Sequence, residues 1–584
     1  MIVHSALTRR LRMHAAICVL MLAGLKVSGS AREPVPGKSD PLLATMQQEL
    51  RRAQQNLGKL DPAPYFLSYS VYDESLTLAV GSQGSLFTST HLRKRSASVI
   101  VRVGSPALDN THGENRTSAI NSGTLPLEND RDATAREFWR LTYEEYRKAS
   151  RAYLNVKTKT QVNAQEEDTS ADFSQETPQS YDEATRAENT PEQAALEGLV
   201  RRYSAYLRKY PEIYSSTAIA TAQKSLRYFV SSEGSVVVTP STDVRLFIEG
   251  STRADDGMDL IRVETFQAAA LNHLPSDSAI AVRVEKMAAD LKSLRSAPLA
   301  EPYDGPALLS GRAAAVYFHE VLGHRLEGHR QRGEKEGQTF TKKVNQQVLP
   351  PFLSVVDDPT LATVSGTELA GWYQYDDEGM PAERTVLIKD GVLKSFLMSR
   401  MPIKDFTRSN GHGRAQSGLM PTGRQGNLIV SSTQNVKDSE LRQKLIDEVK
   451  KQNKPYGLYF EDIQGGFTLT ERRMPQSFEV LPVLVWKVYP DGRPDELVRG
   501  VDIVGTPLGA LSRIMMTGDK VAVFNGVCGA ESGSVPVSAV APAMLFSEIE
   551  VQKRAHSLAR PPILPPPGFE RTPATQTLTT GGQR

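Results

Sequence analysis

Apolar and polar positions alternate in ways that divide the chain into distinct pieces. "YFLSYSVYDESLTLAV" and "SASVIVRVG", within Pro64 to Val103, are rich in Val, Leu, Tyr and Thr with partial period-two alternation. That pattern predicts strands joined as hairpins. "KSLRYFVSSEGSVVVTPSTDVRLFIEG" predicts a second strand–turn–strand unit. Helical spacing marks Leu42 to Leu60, Asp132 to Tyr153 and Ser278 to Leu294. Thr190, Pro191 and Gln193 occupy the N-cap, first-turn and capping-box places of a further helix reaching Lys209. Ser310 is positioned to cap a helix opening at Gly311. Beyond it a strand-rich region extends to Val551, interrupted by one helix over Ser439 to Gln452. The predicted class is α+β, with an N-terminal α/β region followed by a β-rich C-terminal domain.

The remaining stretches lack such periodicity. Residues 32–41 read as a Pro- and Gly-rich linker before the first helix, and residues 105–130 as loop. Residues 163–190, "NAQEEDTSADFSQETPQSYDEATRAENT", are acidic with few large apolar groups. Such a segment buries too little surface to offset its ordering entropy, so a flexible insertion is expected. Pro298 to Pro306 marks a boundary between a region over 61–300 and a domain over 301–554. The tail, residues 555–584, is Pro- and Thr-rich and is expected to be disordered.

The N-terminus adds a location. Arg9, Arg10 and Arg12 precede an apolar run from Ala15 to Leu25, then Ser28, Gly29, Ser30 and Ala31. As a helix that run spans roughly 16 Å, about half the apolar thickness of a bilayer. A basic start, a short apolar run and a small-residue exit predict a cleaved export signal over 1–31. The mature protein is then expected to be periplasmic or secreted, with no membrane attachment. Cys18 is lost with the leader, which leaves Cys528 as the single mature thiol.

Composition excludes some partners. The 584 residues carry 69 Lys and Arg against 67 Asp and Glu, a net charge of +2, which is no nucleic-acid footprint. GxGxxG and GxxxxGK[ST] loops are absent, so nothing indicates a nucleotide cofactor.

Chemistry concentrates in "VYFHEVLGHRLEGHR", residues Val316 to Arg330. Zinc-protease helices carry H-E-x-x-H, with histidines four apart. Here His319 and His324 are five apart, about 140° around an ideal helix, and cannot share an ion from there. Either an i→i+5 turn or a loosening at Gly323, where backbone freedom is cheap, would bring them together. Glu320 is the natural general base, since a carboxylate beside such a site can take a proton from water. A catalytic zinc needs a third protein ligand, and Glu327, His329, His412 and Cys528 are the candidates. Glu327, three past His324, is also placed to orient that imidazole. Elsewhere Asp357-Asp358 and Asp376-Asp377-Glu378 precede Pro359 and Gly379 and are expected to shape turns. His412 is a candidate oxyanion support or a solvated loop residue, and Arg414 a candidate partner for a peptide carboxylate.

From Pro306 to Val551 the chain resembles the TldD/PmbA family of metallopeptidases. The resemblance rests on "GRAAAVYFHEVLGHRLEGH", "SVVDDPTL", "YDDEGMPAERTVLIKDGVLKSFLMSR", "SNGHGR", "IQGGFT" and "NGVCGAESGSVPVSAVAPAMLFSEIEV", in family order. It makes HExxxH the family's own spacing. It implies zinc held by His319, His324 and Cys528, with Glu320 as general base. It also implies a homodimer, or a heterodimer with another family member, enclosing a cavity for short or unfolded peptides, with residues 61–300 lining that chamber. The alternative is a non-catalytic partner or binding module of a peptidase complex, with a structural zinc site. The leader, the acidic insertion, His329 and His412 depart from the family pattern.

Overall fold

The computed structural model describes residues 40–554, apart from 114–115, 163–168, 184–191, 333–336 and 472–476. The expected leader, most of the linker, the tail, Thr190 and Pro191 lie outside the described residues.

Two sheets organise the chain. In the first, β1 (Pro64–Ser82) and β2 (Ser85–Ser105) form one long hairpin. Helix α1 (Pro41–Leu57) precedes them, and Asp40 caps it by accepting from the amides of Leu42 and Leu43. Helix α2 covers Arg131–Val162, nine residues past the expected Tyr153. The short β3 (Ser180–Asp182) is followed by α3 (Gln193–Tyr206), β4 (Ser215–Ser231), β5 (Val236–Arg253), β6 (Asp259–Ala268) and α4 (Asp277–Ser296). Antiparallel pairing runs β2–β1–β4–β5–β6, and β3 joins β5 in parallel. Helices α1 and α2 bury Met46, Leu50, Phe138 and Leu141 against β1 and β2, while α3 and α4 bury Leu196, Val200, Val284 and Leu291 against β4 to β6.

The second sheet has twelve strands among the described residues. It includes β7 (Tyr303–Leu309), β8 (Leu353–Asp357), β9 (Thr385–Lys389), β10 (Asn427–Ser432), β11 (Gly457–Thr468), β12 (Phe478–Val488), β13 (Val501–Gly505), β14 (Ile514–Ala530) and β15 (Gly533–Lys553). Their order is β9–β8–β10–β15–β13–β12–β11–β7, with β14 paired antiparallel to β15. Helix α5 (Gly311–Val321) is buried across β15, β11 and β14, and α6 (Asp438–Lys451) packs on the opposite side. Fold class is therefore α+β, with helices layered on a first sheet and a β-rich second half.

Two expectations need correction. Residues 105–130 are not all loop, because Ile120–Thr124 pairs with β2. The acidic insertion is not uniformly flexible, because its described part packs. Phe173 lies between the guanidinium groups of Arg102 and Arg400, 3.9 and 4.0 Å from its centroid. Asp172 pairs with Arg332 at 2.8 Å and His112 at 2.9 Å. A single aromatic ring and a single acid, both seated in cationic surroundings, anchor a segment whose average composition argues against order.

Candidate metal centre

Helix α5 begins where Ser310 Oγ accepts from the amide of Ala313. Every residue from Ala313 to Val321 is buried, so the helix is held by packing all round rather than along one stripe. Its alanines allow close approach to the strands, and Tyr317 meets the rings of Phe478 and Phe546 edge-on at 5.6 and 5.4 Å. The end of this rigid helix carries His319 and Glu320.

The five-residue spacing is absorbed by a change of winding. α5 stops at Leu322, whose φ of −110° leaves the regular helix, and Gly323–Leu326 continues as a 3₁₀ turn. That break redirects the chain after Leu322, so the spacing of about 140° in an unbroken helix no longer applies to His324. The two rings stand 4.9 Å apart, centroid to centroid, at 73°. So α5 ends just before Gly323, and no i→i+5 turn forms among the described residues. The reason differs from cheap backbone freedom, since Gly323 has no left-handed φ. A Cβ there would overlap the side-chain amide of Gln425, so glycine is needed for space.

Cys528 arrives on β14, directly across the pair from Val535 on β15. Its sulfur lies 3.3 Å from Nε2 of His324. Ligand atoms of His319, His324 and Cys528 all fall within 4.8 Å of one another, and all three residues are buried. The donor set suits zinc, with two imidazole nitrogens and one thiolate. His324 Nδ1 donates to Glu327 Oε1 at 3.2 Å, which leaves Nε2 with its lone pair toward the sulfur. Nδ1 of His319 is buried without a hydrogen-bond partner among the described residues. Burial alone would raise the Cys528 thiol, but His324, His319 and Arg424 overcome it and hold its pKa well below the ordinary value. Burial opposes charge on His324 too, yet the Cys528 thiolate and Glu327 hold that imidazole's pKa well above its usual range. Two imidazoles and a thiolate in a buried space thus call for a cation.

Glu320 stands beside the trio, with its carboxylate 3.9 Å from Nε2 of His324. Burial pushes its pKa above the usual carboxylate value, against His319 and His324. Strand β11 passes alongside, since a Cβ on Gly466 would stand 3.0 Å from Glu320 Cγ. Gly466, the second glycine of "IQGGFT", therefore keeps space open next to the carboxylate.

A buried ion-pair network supports the trio. Arg330 Nε donates to Glu327 at 2.8 Å. His324, Arg330 and Arg424 outweigh burial and draw the Glu327 carboxyl down to about 2. Arg424 is completely buried. It donates to the carbonyls of Cys528 (2.8 Å) and Gly533 (3.0 Å) and to Ser532 Oγ (2.8 Å), while its Nε lies 3.4 Å from Glu327. One guanidinium thereby ties the cysteine hairpin to the carboxylate that orients His324. Sequence reasoning missed Arg424, Arg330 and Gln425. Arg424 meets Cys528 across 104 positions, within no recognisable motif.

Other candidates fall elsewhere. His329 does not join the trio; it is buried against the Glu531 carboxylate. His412 is neither solvated nor beside the trio. It is fully buried, with Nε2 3.3 Å from Asp357 and Nδ1 2.9 Å from the Asn410 carbonyl. Asp358 and Asp376 do shape turns, accepting from the amides of Thr360 (3.2 Å) and of Glu378 and Met380 (2.9 Å each). Arg414 lies under Tyr373 and donates to the Gln425 carbonyl at 2.5 Å.

Residues 302–553 match the family described as the PmbA/TldA metallopeptidase C-terminal domain. This part of the chain belongs to the PmbA/TldD family. It is 32% identical over 251 residues to "Metalloprotease TldD homolog" of Haemophilus influenzae, covering 42% of this chain and 48% of that protein. It is 23% identical over 261 residues to "Zinc metalloprotease TldD homolog" of Saccharolobus solfataricus, covering 44% and 53%. The chain thus spans about half the length of these curated relatives. The solved structure of TldE from Thermococcus kodakarensis superposes over 87% of this chain and 100% of its own, with a TM-score of 0.56 at 13% identity. The fold of that structure therefore extends into the N-terminal half. All three residues of the trio, and Glu320, lie inside the matched domain.

Proposed function

We propose that this chain is a zinc-dependent metallopeptidase acting on short or unfolded peptides. The observation that carries the proposal is the convergence of His319, His324 and Cys528 to within 4.8 Å, with the Glu320 carboxylate alongside. Bound zinc supplies a Lewis acid that polarises a carbonyl and lowers the pKa of a water. Glu327 fixes the His324 tautomer, so that Nε2 is available as a ligand. Glu320 takes the proton of the attacking water and returns it to the departing amine, and a carboxyl with a raised pKa serves both steps. His319, Glu320, His324 and Cys528 are each at most 8% exposed. Residues so little exposed are closed to the surface of a folded protein, which favours unfolded or short substrates. The family resemblance adds assembly as a dimer, homo- or heteromeric, around an enclosed chamber. The leader adds export.

The test is the zinc-loaded protein against one polypeptide in folded and unfolded forms, with and without chelator. Cleavage confined to the unfolded form, abolished by chelation and reduced about 10²- to 10⁴-fold in Glu320→Gln, is expected. Equal cleavage by Glu320→Gln, with zinc retained, removes the mechanism.

A further inference from the structure

A cavity of about 80 Å³ lies between the two sheets, outside the trio. Tyr72, Trp372, Tyr373 and Tyr375 wall it, with Arg414 and Val535. Its volume suits a carboxylate with a few attached atoms. Two links join it to the metal centre. Val535 faces Cys528 directly across the β14–β15 pair. Arg414 grips the carbonyl of Gln425, whose side-chain amide reaches the His319 carbonyl at 3.4 Å.

We propose that this cavity is a carboxylate subsite of the same centre, with Arg414 as the residue that receives the anion. The carboxylate is a peptide's C-terminus or an aspartate or glutamate side chain. The proposal rests on the peptidase reading above.

Arg414 is 7% exposed. Among the described residues it makes one hydrogen bond, to Gln425, and stacks 4.8 Å from the Tyr373 centroid. A guanidinium has five N–H donors in a planar fork matched to a carboxylate, and a buried one without an anion is costly. Burial drives its pKa down, with Tyr373 and Asp377 compensating only in part.

The acids on the same walls are already engaged. Asp377 accepts from Arg227 (2.5 Å), Tyr72 (3.2 Å) and the amide of Ala415 (2.9 Å). Asp376 accepts three backbone amides, those of Glu378, Met380 and Gly413, each at 2.9 Å. Glu74 accepts from Gln223 at 3.3 Å, and burial pushes its carboxyl up to about 7. The oxygens of Asp376 and Asp377 are thus taken, whereas Arg414 has a single hydrogen bond among the described residues. A lysine or arginine side chain would find its acids taken and meet Arg414.

The experiment compares matched peptides on the zinc-loaded protein. One pair differs only in a C-terminal carboxylate against an amide, another only in an internal glutamate against glutamine. One pair is expected to show a preference of about 10- to 100-fold for the carboxylate, expressed in KM, as a charge-assisted hydrogen-bond pair gives. Arg414→Met collapses that ratio toward one and Arg414→Lys restores part of it, both with unchanged zinc content. The same pairs titrated against Trp372 fluorescence read binding without turnover. If nothing is cleaved but the fluorescence still separates carboxylate from amide, the peptidase reading fails and the subsite stands. Ratios of one in every pair by both readouts, or a preference for basic residues, overturn the subsite.

Discussion

Two buried charged clusters sit in this molecule, and they differ in one respect. Around Phe173, at the junction of the two halves, Arg102 meets Asp109 (2.7 Å), Arg332 meets Asp172 (2.8 Å) and Arg400 meets Glu233 (2.7 Å). Three guanidinium groups face three carboxylates, and the charge closes. At the end of α5, by contrast, the Cys528 thiol and the Glu320 and Glu327 carboxylates gather about two imidazoles, and the two guanidinium groups nearby, Arg330 and Arg424, are both drawn to Glu327. The first cluster has the pairing expected of a structural joint, since buried charges persist when paired. The second is short of a cation, and that deficit, more than the presence of histidines, marks it as a centre for chemistry.

Substitutions should separate the two clusters by what they disturb. Cys528→Ala is expected to have the largest effect. It removes a ligand outright, so stoichiometric zinc and peptide cleavage are both lost, as metal analysis and turnover would record. Arg332→Met leaves Asp172 buried with less compensation and is expected to cost about 3–5 kcal/mol of stability. Zinc content per folded molecule should not change. A denaturant melt paired with metal analysis checks this, and loss of zinc without loss of stability would reverse the roles of the two clusters. Glu327→Gln should weaken zinc about 10- to 100-fold, as removal of an orienting partner does, and competition with a chromophoric chelator measures it.

The smallest effect concerns a third acidic pair. Asp376 and Glu378 are both buried, and burial raises both, with Glu378 adding to the rise on Asp376 and Glu176 to that on Glu378. Asp376 is pushed up to about 8 and Glu378 to about 7, so this pair holds a proton that free carboxyls would have lost. The folded state then binds more protons than the unfolded chain between the unfolded pKa of about 4 and pH 7. Stability from this pair is complete at low pH and is lost as pH rises, by about 1 kcal/mol per unit over pH 5–7. Glu378→Gln should flatten that slope in melts taken across the range; an unchanged slope would place the proton elsewhere.

The same contrast explains what the sequence made legible. Local signals sufficed for α5, capped by Ser310, and for the β1–β2 hairpin, because propensity and patterning act over a few residues. His319, Glu320 and His324 were readable from clustering, and Cys528 from the resembling segment that carries it. Gly323 was noticed for the wrong property: its need is for space beside Gln425, which only the folded chain reveals. Arg424 was invisible, because its partners Cys528 and Ser532 lie 104 and 108 residues away. Phe173 was hidden by the acidic composition around it, although two arginines seat it.

The most direct measurement is metal-to-protein stoichiometry with cobalt substituted at the site, read through its absorption. The account predicts one metal per chain and a thiolate-to-metal charge-transfer band that vanishes in Cys528→Ser. No bound metal, or a band unaffected by that substitution, would contradict it.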